Sequence, residues 1–256
     1  MNDRNRGARG AGGGRGAQGA NTSEGVRPRV VIVGGGFGGL ETARGLAGAP
    51  CDVVLIDRRN HHVFQPLLYQ VATAALSPAD IAAPIRSVLR RQDNARVVLS
   101  EVTGVDLGHR RVAVAGGDTF GYEWLVLAPG VTHTYFGKPG WSERAPGLKT
   151  IEDALEIRRR VLMAFEEAEL EDDPEARRAK LTFVVVGGGP TGVEMAGALR
   201  EIAAQTIPDD FRRVDTSTAR VILLEGEDRL LPSMSEKAGR GALHHLEAMG
   251  VEVRLG

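Results

Sequence analysis

Two short glycine-rich runs carry most of the chemistry legible in this sequence. In the first, Gly34, Gly36 and Gly39 hold the spacing G-x-G-x-x-G; in the second, Gly187, Gly189 and Gly192 repeat it. That spacing suits a diphosphate. The first glycine permits a tight turn, the second lets backbone approach the pyrophosphate, and the third lets a helix pack closely on a strand. The anion then meets the free N–H groups and positive dipole end of that helix. An acid is also needed at the end of the next strand, to accept the ribose hydroxyl protons. Asp57 takes that place roughly 20 residues past the first run, and Glu225 takes it for the second. Glu225 would repel a 2′-phosphate, so NADH is expected there over NADPH; Arg229 just beyond leaves some tolerance for the phosphate. One such site would suit many dehydrogenases. Two suit a flavoprotein that takes hydride from a nicotinamide.

Strands and helices must present these runs. Val30–Val33 is a continuous apolar stretch of β-branched residues, as in a strand buried on both faces. Leu40, Ala43, Leu46 and Ala47 follow at helical spacing, and Asp52–Ile56 supplies the next strand. The second unit repeats the order: strand Leu181–Val186, a helix carrying Val193, Ala196, Gly197, Leu199 and Ile202, then strand Arg220–Leu224. Glu225 stands further from its glycines than usual, and the polar loop around Pro208–Thr218 accounts for the extra length. Between the units, Val97–Val102, Arg111–Ala115 and Tyr122–Leu127 read as strands, with turns at Gly108 and Gly116-Gly117. Thr150 is placed to N-cap a long helix through Glu171, stopped by Asp173-Pro174. Its mixed charges read as solvent-facing, which makes it a connector. Val251–Val253 reads as a third strand of the second unit.

The expected fold is therefore α/β, with two Rossmann-like dinucleotide-binding domains, the second incomplete. Residues 1–28, rich in Gly and Arg, have too little apolar surface to offset the entropy of ordering, so a disordered tail is expected. The first domain is expected over 29–149, a connecting helix and linker over 150–180, and the second domain over 181–256.

Composition narrows the chemistry further. The 256 residues are 42% hydrophobic and 25% charged, which fits a soluble globular protein, and the net charge of −1 gives no bias toward nucleic acid. Cys51 is the single cysteine, so no intramolecular disulfide forms and no cysteine pair can stand beside a flavin. No run of ~18 apolar residues offers a membrane span. No metal is expected. Adjacent His61 and His62 cannot easily face one ion and read as loop residues, and the same argument covers His244 and His245 on the helix before Gly250. Phe64 and Tyr69 either line a bound flavin or serve as core aromatics. No Ser–His–Asp arrangement is readable, and hydride transfer needs none, only proximity and orientation.

The stretch Phe64-Gln65-Pro66-Leu67-Leu68-Tyr69-Gln70-Val71-Ala72, followed by Leu76-Ser77-Pro78, resembles the type II NADH dehydrogenases. Val131–Gly137, Gly187–Gly197 and Leu231-Pro232 are also similar to that family, over about residues 29–256. The resemblance implies FAD over Gly34, Gly36 and Gly39, with Asp57 on its ribose, the Val102 backbone near the adenine, and Ala128 and Gly130 at the turn beside the flavin. Pro129 stands where the family has Thr and removes one N–H donor. It implies NADH over Gly187, Gly189 and Gly192, with Glu225 on the ribose. It implies Glu194 as a catalytic proton relay near nicotinamide and flavin. A plainer reading makes Glu194 a first-turn acid stabilised by the helix dipole.

The same resemblance implies electron transfer from NADH through FAD to a membrane quinone. It admits a homodimer, and places the protein in the cytoplasm or on the cytoplasmic face of the inner membrane through a C-terminal anchor. It implies a polypeptide that continues past Gly256, so a truncated chain with unpaired sheet edges and poor folding on its own is expected. Two alternatives stay open: a ferredoxin- or rubredoxin-reductase-like flavoprotein, and a nucleotide-binding fragment without turnover. A sulfide:quinone oxidoreductase is disfavoured by the missing cysteines.

Overall fold

A computed structural model describes residues 27–256, so the expected tail over 1–28 lies almost wholly outside the described residues. The chain opens with β1 (Arg29–Val33), α1 (Phe37–Gly45) and β2 (Asp52–Asp57), followed by β3 (His61–Val63), α2 (Leu68–Ala72), α3 (Pro78–Ile81), β4 (Ala82–Pro84) and α4 (Ile85–Val88). Strand β5 (Ala95–Leu99) joins the first sheet. A meander of β6 (Val102–Asp106), β7 (Arg111–Val114) and β8 (Thr119–Gly121) then leads into β9 (Trp124–Leu127). The sheet order is β5-β2-β1-β9, parallel throughout, with Val31 opposite Val54 on one side and Leu125 on the other.

The unbroken apolar run in β1 has a physical cause. Val30 and Ile32 pack with Leu40 and Ala43 of α1, Ile85 and Leu89, while Val31 packs on the opposite face with Val112, Val114 and Tyr122 of the meander. Both faces of the strand are covered, so no polar alternation is tolerated.

The second unit starts with α5 (Ile151–Leu170) and α6 (Pro174–Lys180). It continues through β10 (Thr182–Val186), α7 (Pro190–Glu201), β11 (Arg220–Glu225), α8 (Glu236–Ala248) and β12 (Glu252–Leu255). Its sheet is parallel in the order β10-β11-β12. Among the described residues the outer edge of β10 has no neighbour, and Val184 and Val186 are 54% and 68% exposed.

Three expectations need correction here. The strand expected over Val97–Val102 is two strands: β5 ends at Leu99, Ser100 N–H donates to Asp57 C=O at 2.9 Å, and Val102 opens the antiparallel β6. The strand expected from Tyr122 starts at Trp124. Helix α5 does begin at the Thr150 cap, where Thr150 Oγ1 accepts from Asp153 N–H at 3.0 Å and Asp153 Oδ2 accepts from Thr150 N–H at 2.9 Å. It is not a solvated connector, however. Ala154, Val161, Phe165 and Ala168 are buried in the largest core cluster, beside Leu68, Val71 and Ala72 of α2 and Met195, Ala196 and Leu199 of α7. Asp173-Pro174 ends α5, and the proline also opens α6, with Asp173 as its N-cap.

Candidate dinucleotide sites

The two glycine runs adopt the same local structure. At the first, Gly34 has φ +102°, its N–H donates to Ile56 C=O at 2.8 Å, and Gly35 N–H donates to Asp57 Oδ2 at 2.5 Å. At the second, Gly187 has φ +105°, its N–H donates to Leu224 C=O at 2.8 Å, and Gly188 N–H donates to Glu225 Oε2 at 2.5 Å. The other carboxylate oxygens match too: Asp57 accepts from Arg59 N–H and Glu225 from Glu227 N–H. Each carboxylate offers about four lone-pair positions. Both acids therefore brace the loop and keep capacity for ribose hydroxyls.

The third glycines, Gly39 and Gly192, have no room for a side chain, since a Cβ would overlap the carbonyl oxygen of Gly34 or Gly187. The second glycines are the opposite case. A Cβ at Gly36 or Gly189 would meet nothing within 4 Å. The open side of the loop is where a diphosphate would lie. Helix ends support this. Among the helices longer than two turns, Thr150 and Ser235 cap α5 and α8 with a side-chain oxygen, whereas α1 and α7 start at Gly36 and Gly189 with no side-chain cap and no acid in the first turn. Uncapped N–H groups beside open space are the donor set that a diphosphate needs, so the residues fit the group.

The expected first-site residues are brought together around Gly34. Ala128 N–H donates to Val33 C=O at 2.8 Å, and the Ala128 carbonyl lies where any Gly34 side chain would go. Gly130 has φ +76° and turns the chain away after Pro129. Val102 is half-buried, two residues past the Ser100–Asp57 bond, so it sits near the end of β2. At the second site Arg229 is tied down, donating to the carbonyls of Pro232 at 2.6 Å and Met234 at 3.2 Å.

Glu194 is the fifth residue of α7, past the first turn, so the dipole-stabilised reading does not hold. It lies at the rim of a cavity of about 550 Å³, between α2, α7 and α8, with Tyr69, Gln70, Thr73 and His245 among the lining. Partial withdrawal from water pushes its carboxyl above the ordinary carboxylate range. A helix-dipole acid would show the reverse. Tyr69 thus joins Glu194 at a cavity, while Phe64 is 45% exposed and sets its ring against Phe37 at 5.5 Å, so it is no core aromatic.

His62 was the residue that spacing and type did not reveal. It is in strand β3, not a loop, paired with Ala83 of β4. Its ring meets Phe37 edge-on at 4.8 Å and its Nδ1 lies 3.2 Å from Gly35 C=O. Its position just beyond Asp57 was the available signal. Among the described residues no cluster of three His, Cys, Asp or Glu side chains is placed to hold a metal ion, and no helix is long and apolar enough to cross a membrane. Cys51 is buried in the first core.

Two parallel sheets, each sending a glycine turn into an uncapped helix and ending its next strand in an acid, define a protein of the double dinucleotide-binding class. Comparison with known sequences makes this specific. The chain belongs to the pyridine nucleotide-disulphide oxidoreductase family, whose sequence profile matches residues 28–256. It is 51% identical over 233 residues to the type II NADH:quinone oxidoreductase Ndh of Mycobacterium tuberculosis, covering 90% of this chain and 50% of that protein. It is 31% identical over 241 residues to an external alternative NAD(P)H-ubiquinone oxidoreductase of Arabidopsis thaliana, covering 90% of this chain and 41% of that one. The chain thus spans about half the length or less of these curated relatives. Among solved structures, NDH2 of Plasmodium falciparum in complex with NADH superposes with a TM-score of 0.81 at 24% identity, over 90% of this chain and 48% of that one. That likeness shows the fold.

Proposed function

We propose that this chain is the dinucleotide-binding part of a type II NADH:quinone oxidoreductase, with FAD on the first glycine loop and NADH on the second. The observation that carries the reading is the pair of matching loops at Gly34–Gly39 and Gly187–Gly192, joined to 51% identity with a protein of that activity. FAD, when bound, supplies a ring that accepts hydride from NADH and hands the electrons to a quinone.

The chain's own residues do the rest. The uncapped starts of α1 and α7 hold the diphosphates. Asp57 and Glu225 receive ribose hydroxyls, and the charge of Glu225 discriminates against a 2′-phosphate. Arg229 spends donors on the Pro232 and Met234 carbonyls, which leaves fewer of them for a 2′-phosphate. Helix α2 packs against both α5 and α7, and thereby keeps Tyr69 and Gln70 at the same cavity as Glu194. Glu194 is exposed at the cavity, and the desolvation it meets there raises its carboxyl above the ordinary carboxylate range, which favours holding a proton at Oε.

The test is visible absorbance of the FAD-reconstituted protein before and after anaerobic NADH. Bleaching of the flavin bands, and their return on adding a short-chain quinone, is the expected result. Bound flavin that NADH does not bleach would overturn the proposal.

A further inference from the structure

We propose that His62 is a positioning residue of the first dinucleotide site, acting through the Gly35 peptide; the ligand in question rests on the FAD reading above. In the second loop the same peptide is clamped by backbone. There Gly188 N–H donates to Glu225, and Gly188 C=O accepts from Leu231 N–H at 2.8 Å. Leu231 has φ +51°, a left-handed conformation that is strained for a non-glycine residue. The chain accepts that strain to bring a donor to this carbonyl.

The first loop has the same need and a different answer. Gly35 N–H donates to Asp57, and the group 3.2 Å from Gly35 C=O is His62 Nδ1. A carbonyl only accepts, so the ring must donate, and its proton stands on Nδ1. Strand β3 holds the ring there, with His62 paired to Ala83 of β4 and Phe37 packed edge-on against the imidazole.

The clamp reaches the ligand through peptide geometry. Gly35 C=O and Gly36 N–H share one trans peptide plane and point in opposite directions. Holding the carbonyl toward His62 aims Gly36 N–H to the other side. Among the described residues that N–H has no acceptor, and a Cβ at Gly36 would meet nothing within 4 Å. His62 therefore sets the direction of one N–H that faces the diphosphate without touching the diphosphate itself.

The experiment combines three variants with one spectroscopic readout. His62→Phe keeps a ring against Phe37 and removes the donor. His62→Asn places an amide nitrogen where Nδ1 stood, and His62→Gln places it one bond further out. Titration of the apo chain with FAD should show affinity reduced about three- to thirtyfold in His62→Phe, the loss of one hydrogen bond that leaves a partner unsatisfied. His62→Asn should recover to within roughly threefold of wild type and His62→Gln should not, a pattern that loss of packing alone does not produce. In the unaltered chain, long-range nitrogen–proton correlation should find His62 as the Nδ1–H tautomer. An Nε2–H tautomer, or FAD affinity in His62→Phe equal to wild type, would overturn the assignment. A wild-type chain that takes up no FAD would instead overturn the flavin reading, and the tautomer would still decide whether the clamp exists.

Discussion

Substituting alanine for Gly39 tests how the first loop is built. Gly39 lies on the face of α1 turned toward β1, where an added Cβ would overlap the Gly34 carbonyl oxygen and stand 3.0 Å from its carbon. The helix must retreat by more than about 1 Å, or Gly34 must move. Gly34 has little freedom, because its N–H is bonded to Ile56 and the Ala128 carbonyl fills the space behind it. The strain therefore falls on the α1–β1 contact. Overpacking of this kind costs about 1–3 kcal/mol, and each kcal/mol lowers the melting temperature by about 2–4 °C at this chain length. Gly39→Ala should thus melt about 2–12 °C lower and bind FAD more weakly. Gly45→Ala on the same helix is the control: its Cβ would meet nothing within 4 Å, and the helix gains up to ~1 kcal/mol of propensity. Circular dichroism melts of the two variants should shift in opposite directions. A Gly39→Ala protein that melts at or above wild type would refute the close-packing argument.

Three further outcomes follow from other sites. Glu194 has a folded-state pKa raised by partial burial, so its contribution to stability is whole below the ordinary 4.5 and is lost as pH rises through the raised value. Glu194→Gln should melt above wild type at neutral pH, with the gap closing as pH falls toward 4.5; a pH-independent gap would contradict the burial argument. Glu225→Ser should weaken NADH binding by roughly tenfold or more, the worth of a charge-assisted hydrogen bond, and narrow the preference over NADPH. Fluorescence titration with both nucleotides checks this, and unchanged affinities would remove Glu225 from the site. Phe165→Ala should cost about 3–5 kcal/mol, because the ring is fully buried and meets Phe183 at 5.3 Å and Phe211 at 6.0 Å. A melting temperature within ~2 °C of wild type would return α5 to the role of an exposed connector.

The glycine loops were legible because they combine several signals in fixed order. Val30–Val33 has no polar residue to interrupt it, since both faces of β1 are covered, and the same logic found β11; β10 carries the same apolar run although Val184 and Val186 are exposed. Thr150 announced α5 through residue type alone. What that helix does was hidden, because two of its four core residues are alanines scattered among arginines and glutamates, and a charge-rich pattern reads as solvated. The split between β5 and β6 was hidden for a similar reason. Ser100 and Glu101 are only two polar residues between valines, and their bonds to Asp57 and Ala115 are made by backbone, which carries no sequence signal. His62 was illegible because β3 has three residues, too few to display a period, and its partner is a peptide carbonyl. Glu194 was found by resemblance; its raised carboxyl depends on the cavity beside it.

Helix α2 is five residues long, yet it ties the molecule together. Leu68, Val71 and Ala72 share one interior with Met195, Ala196 and Leu199, while the chain leading into α2 comes directly from the strand that carries His62. The first half keeps two interiors of its own on the two faces of its sheet, but the interior of the second half is completed by α2. Parted between Gly147 and Ile151, the first half would expose the apolar side of α2, and the second would lose part of the wall behind α7. The second sheet should therefore depend on the first half for its stability, and ligand on the first loop should protect amides in both.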